Sequence, residues 1–289
     1  MFRVSCLPKL PSLLLCAAFA ATAACYQPQP TNEQATKNAA QQTSANLAAE
    51  VPLPKPPMNR AALLQTVALA RSAAAAGVDD SQAQRSLDGK QFELRIRFGC
   101  AGAADKLDNA ALGWTYNADT RVLRISATPT LNGDDPLVAQ LNATDVEAVE
   151  GFWIPRPWML QASCPVPPAA PTAPPETDTA QQPSTAITKA AGTIGIAQFF
   201  TAADSRTMRR DHRPYAATKT LDAGTARVGA KGFDLVLEGR LQPGPGGRVI
   251  LCKSSAADRP PDCIVSARID RVRFEQPETG ETIAEWGSS

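Results

Sequence analysis

The sequence predicts a mainly β, antiparallel protein, built as sandwich- or barrel-like halves with one short N-terminal helix. Three observations carry that expectation. Apolar and charged residues alternate strictly in Phe92-Glu93-Leu94-Arg95-Ile96-Arg97-Phe98, the period of a strand with one face on a core and one toward water. Further short runs rich in Val, Ile, Phe and Tyr are separated by Gly, Pro, Asn and Asp, as strands joined by turns require. The clearest helical spacing lies in the one stretch that follows Asn59.

The elements follow in order. Asn59 is placed to cap a helix, and Leu63, Leu64, Val67, Ala68 and Arg71 keep the helical period. Gly77 supplies the left-handed residue that ends it. The alternating strand 92–98 comes next. Trp114-Thr115-Tyr116 and Val122-Leu123-Arg124-Ile125-Ser126 flank a turn at 117–120, a hairpin. Val146 to Ile154 is a further strand. Later strands are expected at 194–200, 215–220, 233–241, 248–252 and 264–274. Pro243-Gly244-Pro245-Gly246-Gly247 turns between two of them. In the last strand the apolar phase changes between Ile269 and Val272, the mark of a bulge. Lys90-x-Phe92-Glu93-Leu94-x-Ile96 echoes Lys231-x-Phe233-Asp234-Leu235-x-Leu237, a short internal similarity.

Composition divides the 289 residues further. Residues 1–24 read as a signal peptide: Arg3 and Lys9 form a positive start, and Leu10 to Ala21 form an apolar run too short to span a bilayer. Residues 25–58 are rich in Gln, Asn, Thr, Ala and Pro and read as a disordered tether, about 30 Å long as a flexible coil. A helix-plus-β half is expected over 59–164. A Pro-rich linker over 165–190 excludes both helix interior and central strand, and a second β-rich half occupies 191–289.

The seven cysteines fall into two groups. Cys6, Cys16 and Cys25 lie at the N-terminus; Cys100, Cys164, Cys252 and Cys263 form an even set in the body, suited to disulfides in an oxidising compartment. Two cleavage modes compete. Ala21-Thr22-Ala23 fits an ordinary signal-peptidase site, whereas Thr22-Ala23-Ala24-Cys25 resembles a bacterial lipoprotein signal, with Thr22 where such signals usually carry Leu. Acylation of Cys25, palmitate included, would leave four cysteines; ordinary cleavage would leave five. Tyr26 follows, where Asp commonly retains a lipoprotein at the inner membrane, so the resemblance implies the periplasmic face of the outer membrane. A soluble periplasmic protein is the alternative. Among the three pairings open to four cysteines, Cys100–Cys164 and Cys252–Cys263 each stay within one half. The second closes a hairpin of about 12 residues, worth about 3 kcal/mol on the chain-entropy model.

The chemistry of the common enzyme classes finds few residues here. A formal charge of +1 argues against a general nucleic-acid binder. Neither Cys-x-x-Cys, Gly-x-Ser-x-Gly nor a phosphate-cradling glycine loop occurs, and His212 is the single histidine. No catalytic residue, metal site or cofactor is assigned. Asn132-Gly133-Asp134-Asp135 lacks the alternation of a calcium loop.

Two clusters are candidates for binding. Arg206, Arg209, Arg210 and Arg213 have i, i+3, i+4, i+7 spacing. A helix would gather them on one face suited to phosphate or carboxylate; a solvated face is the plainer reading. Trp153, Arg156 and Trp158 lie in a stretch that Pro155 and Pro157 hold extended. That stretch is either an aromatic platform for sugars or a partner peptide, or a plug of the core.

Glu150-Gly151-Phe152-Trp153-Ile154-Pro155-Arg156-Pro157-Trp158 and Thr279-Gly280-Glu281-Thr282-Ile283-Ala284-Glu285-Trp286 resemble phrases in exported proteins of alphaproteobacteria to which no activity is assigned. The resemblance implies a bacterial envelope setting and carries over no site residues. The expectation is a non-enzymatic envelope lipoprotein with a binding or structural role. Its partners would be the membrane through its anchor and an anionic envelope polymer or another envelope protein. The alternatives are a periplasmic hydrolase acting on envelope carbohydrate or peptide, and a carrier of an apolar ligand in a β-barrel.

Overall fold

The computed structural model describes residues 55–107, 110–141, 143–165, 193–222, 228–254 and 258–287. The expected signal peptide, Cys25, nearly all of the tether and nearly all of the Pro-rich linker lie outside the described residues. What is described belongs to one compact unit beginning at Lys55.

Helix α1 (Arg60–Ala76) has the predicted boundaries. Asn59 is extended, and its side chain accepts the Ala62 N–H at 3.0 Å; Gly77 closes the helix at φ 63°. Two short helices, α2 (Ser81–Arg85) and α3 (Pro136–Ala139), follow. Asp135, in the acidic turn set aside as a calcium loop, instead caps α3 by accepting the Leu137 N–H at 2.8 Å. Eleven strands make up the rest: β1 (Gln91–Phe98), β2 (Leu112–Asn117), β3 (Val122–Ala127), β4 (Leu131–Asn132), β5 (Val146–Trp153), β6 (Ile194–Thr201), β7 (Tyr215–Thr220), β8 (Phe233–Leu241), β9 (Ile250–Lys253), β10 (Asp262–Glu275) and β11 (Thr282–Gly287). The fold is mainly β, mostly antiparallel and sandwich-like.

The larger sheet runs β1-β8-β10-β6-β5-β4, with β9 and β11 also paired to β10; the smaller runs β2-β3-β7. Strands from before and after the Pro-rich stretch therefore pair directly, β1 with β8, β5 with β6 and β3 with β7. The long β10 joins the assembly. Its first part pairs with β9 on one edge and, in parallel, with β6 on the other. Its last part pairs with β8 and β11. The register against β8 shifts between Ile269 and Arg271, where the apolar phase change predicted a bulge.

The main core lies between the sheets and under α1. Leu63, Leu64 and Val67 of α1, Phe92, Leu94 and Ile96 of β1, Leu235 and Leu237 of β8, and Phe274 of β10 are all essentially inaccessible. Leu123 and Ile125 of the small sheet close it from the other side. A second cluster, Leu131, Val149, Phe199 and Ile264, packs with Leu137 and Val138 of α3. Both expected disulfides form. Cys100–Cys164 and Cys252–Cys263 have Cα atoms 5.5 and 4.1 Å apart, the latter directly opposite one another on β9 and β10.

One expectation needs correcting. The charged face of β1 is expected to be open to water, and it is only partly so: Arg97 keeps 12% of its side-chain surface, Arg95 37% and Glu93 33%. Arg97 grips Asp234 with two bonds of 2.6 and 3.0 Å. Arg95 reaches Glu275 at 2.5 Å, and Arg273 bridges Glu275 and Glu238 at 2.9 and 2.6 Å. The Asp234 and Glu275 side chains are only 3% and 7% exposed. Arg97 and Asp234 stand directly opposite on β1 and β8, whereas Glu275 stands opposite Asp234 and Glu93 opposite Glu238; Arg95 and Arg273 reach across to Glu275 and Glu238 and offset that like-charge juxtaposition.

Candidate binding cleft

On one edge of β10 there is a gap. The β6 pairing ends at Ser266, the β11 pairing begins at Arg271, and among the described residues no strand pairs with the residues between on that edge. An unpaired backbone donor at such a place must find another acceptor. Gln198 of β6 supplies it: its Oε1 accepts the Ile269 N–H at 3.2 Å, and the residue is 7% exposed. The gap opens into a cleft of about 390 Å³.

Its apolar lining is aromatic. Phe152 comes from β5, Phe200 from β6, Tyr215 from β7 and Trp286 from β11. Tyr215 meets Trp286 edge-on at 5.3 Å and Phe152 at 6.2 Å. Burial raises the Tyr215 hydroxyl pKa to about 12; Glu150 pushes the same way and Arg210 opposes.

The polar side is the 205–214 segment. Helical spacing predicted one arginine face there; the structure instead has a single 3₁₀ turn at Arg206–Met208, after which Arg209 is extended. The reason is local. Glu150 accepts the N–H of Arg210 at 2.8 and 3.0 Å and that of Asp211 at 2.8 Å, donors that a helix would keep for itself. Asp211 and His212 stand at φ 50° and 64°, and Pro214 disfavours helix at Arg213.

The turn nevertheless gathers arginines. Arg209, Arg210 and Arg213 line the cleft with Arg271, against the carboxylates of Glu150 and Asp270. Arg210 lies over the Tyr215 ring at 4.2 Å and Arg209 over Phe200 at 5.6 Å, geometry that favours a cation on a π face. Arg210 donates to Arg213 O and Pro214 O, and Arg213 donates to Arg210 O and Arg209 O. Arg209 holds Glu147 at 2.8 Å. In each, these bonds use Nε or Nη2, leaving the Nη1 end without a protein acceptor among the described residues.

Both carboxylates are engaged. Glu150 accepts the backbone bonds above, and Asp270 meets Arg268 at 3.1 Å. Among the described residues no group of His, Cys, Asp and Glu is arranged to hold a metal. The cleft thus offers guanidinium donors above an aromatic floor, which suits a phosphate or carboxylate carried on a sugar or other flat, partly apolar group.

The other sequence candidates lie elsewhere. Arg206 is exposed on the 3₁₀ turn and does not line the cleft. Trp153 packs half-buried on the second core cluster, whereas Trp158 is 51% exposed. Arg156 donates to Arg97 O at 3.1 Å, so the three do not form one platform. Sequence reasoning missed Glu150, Gln198, Tyr215 and Trp286. A signal was present: the two distinctive phrases, 150–158 and 279–286, each contribute a wall, through Glu150 and Phe152 and through Trp286.

The chain matches no family model, no curated protein and no solved structure.

Proposed function

We propose that this chain is a non-enzymatic lipoprotein of a bacterial envelope, acylated at Cys25 at the periplasmic face of the outer membrane. Its cleft holds an anionic group of an envelope polymer. The observation that carries the binding role is the stacking of Arg209 and Arg210 on the aromatic floor, where both line a cleft at a gap in the sheet. The two disulfides support an oxidising compartment. Two observations favour binding over hydrolysis or apolar transport. The carboxylates of the cleft are spent on backbone N–H groups and arginines, and the space between the sheets is filled by side chains.

Calorimetry tests the reading with a phosphorylated and a uronic-acid oligosaccharide beside a neutral one. The anionic probes are expected to bind with salt-sensitive affinity, and Arg213→Ala with Arg210→Gln to lose about tenfold, the scale of one charge-assisted bond. Equal binding of the neutral probe, or an unaffected variant, would overturn it. Intact mass after export in a Gram-negative host reports the anchor: an unmodified chain beginning at Ala24 or Cys25 would exclude acylation.

A further inference from the structure

The cleft beside β10 holds more guanidinium than its own carboxylates match, and the surplus can be counted. Arg209, Arg210, Arg213 and Arg271 line it with Glu150 and Asp270. Most of that charge is met nearby. Glu147, outside the lining, holds Arg209 at 2.8 Å. Glu285 meets Arg271 at 3.4 Å and Glu238 meets it at 3.8 Å. Asp270 meets Arg268 at 3.1 Å. Arg210 and Arg213 instead bond to carbonyl oxygens, and neither has a carboxylate within ion-pair distance among the described residues. Glu150 accepts backbone N–H groups and meets no cationic side chain within that distance. Two guanidinium groups against one carboxylate leave the cleft with a single positive charge.

Two lining residues supply further donors that ask for an acceptor without adding charge. Gln198 is 7% exposed, and its Oε1 is committed to the Ile269 N–H. The other atom of that amide, Nε2, is a donor with no acceptor among the described residues. Arg209 Nε is buried and has no hydrogen-bond partner, while Glu147 offsets the charge of that guanidinium. Buried polar atoms in folded proteins are nearly always satisfied, and an exception calls for a water or a ligand group to complete it.

Resting on the reading of the cleft as an anion site, we infer that it selects a singly charged unit inside a polymer, a phosphodiester link or a uronate, over the doubly charged phosphate monoester of a chain end. One negative charge cancels the surplus of Arg210 and Arg213. A second has no further surplus to meet and stands near Glu150 and Asp270, in a cleft walled by Phe152, Phe200, Tyr215 and Trp286, where an uncompensated charge is costly. A phosphate monoester carries nearly two charges at neutral pH, because its second pKa is about 6, whereas a diester carries one. The charge preference therefore reports whether the site grips a polymer along its length or at its end.

Calorimetry on the full chain at low salt compares glucose 6-phosphate, its methyl diester and glucuronate. At about pH 8 the diester or glucuronate is expected to bind about fivefold more tightly than glucose 6-phosphate, the scale of one like-charge contact, and the tighter of the two identifies the link. Lowering the pH to about 5 makes the monoester a monoanion and should close the gap. The diester, measured at both values, reports any titration of His212, Asp211, Asp270 or Glu150. Two variants raise the surplus to two charges. Glu150→Gln keeps Oε1 for both backbone N–H groups, and Glu147→Gln leaves those bonds untouched. Each is expected to bring the monoester at about pH 8 level with the diester or ahead of it. A native cleft that prefers the dianion, or a ratio that neither variant moves, would overturn the single-charge site while anion binding stands. Binding of none of the three probes sinks the anion reading itself, and this inference with it.

Discussion

Arg60 and Arg210 put the same side chain to opposite uses. Arg60 is 6% exposed, and its side chain makes four hydrogen bonds to backbone carbonyls of the 155–159 loop and β1. Burial, with Arg156 beside it, pulls its pKa down to about 10, so it remains charged at neutral pH. Arg210 lies half-buried on Tyr215, secures its own turn with Nε and Nη2, and lines the cleft. The difference teaches that an arginine's role follows from where its donors go. When all are spent on main chain, the residue is a fastener; when one end is left over, it can hold an anion.

The comparison breaks most visibly at the fastened loop. Replacing Cys100 and Cys164 by serine opens a 64-residue span, and unfolding by denaturant should show a loss of about 4 kcal/mol. Arg60→Ala should cost about 3 kcal/mol, because several carbonyls lose a charged donor at once. Arg60→Lys should recover little, since an ammonium cannot reproduce the planar fork. Both changes should leave binding of the anionic probe to any remaining native protein unaltered.

At the cleft, alkali gives the next effect. Tyr215 rises from its ordinary value of 10.0 to about 12 in the folded state. Its contribution is therefore complete below pH 10, where both states keep the proton. Above that the unfolded chain ionises first, and stability falls by about 2–3 kcal/mol up to pH 12. Absorbance titration should show one tyrosine ionising late, and Tyr215→Phe should abolish that step. The smallest stability effect belongs to Arg213→Ala, below about 1 kcal/mol, with probe affinity falling instead. A large loss of stability there would erase the contrast between fastener and ligand holder.

Much of the fold was legible in the sequence. The β1 alternation, the Asn59 and Gly77 caps, the hairpin around 117–120, the bulge near Ile269 and both disulfides follow from local pattern or parity. What was hidden depends on distant partners. Every residue of β6 but the last is buried, so its sequence has no alternation to reveal which edge meets β5 and which runs parallel to β10. The arginine helix failed because Glu150, far away in sequence, claims its backbone donors. The partly exposed β11 shows no clean period and was noticed only as a phrase. Arg60 gave no warning, since a charged residue at a helix start is ordinarily solvated. The cleft arises where a strand is missing, and local sequence carries no signal for an absence of pairing.

The long strand β10 has a consequence in time. It lies at residues 262–275, close to the end of the chain, yet it links β8 and β9 on one side to β6 and β11 on the other. A chain emerging from its N-terminus therefore presents β1 through β9 before the element that joins them exists. Until then β6 and β8 each have an open edge, and most of the pairings that bury the core span long sequence separations, which are slow to form. The order of the strands thus holds back closure of the core until β10 is present.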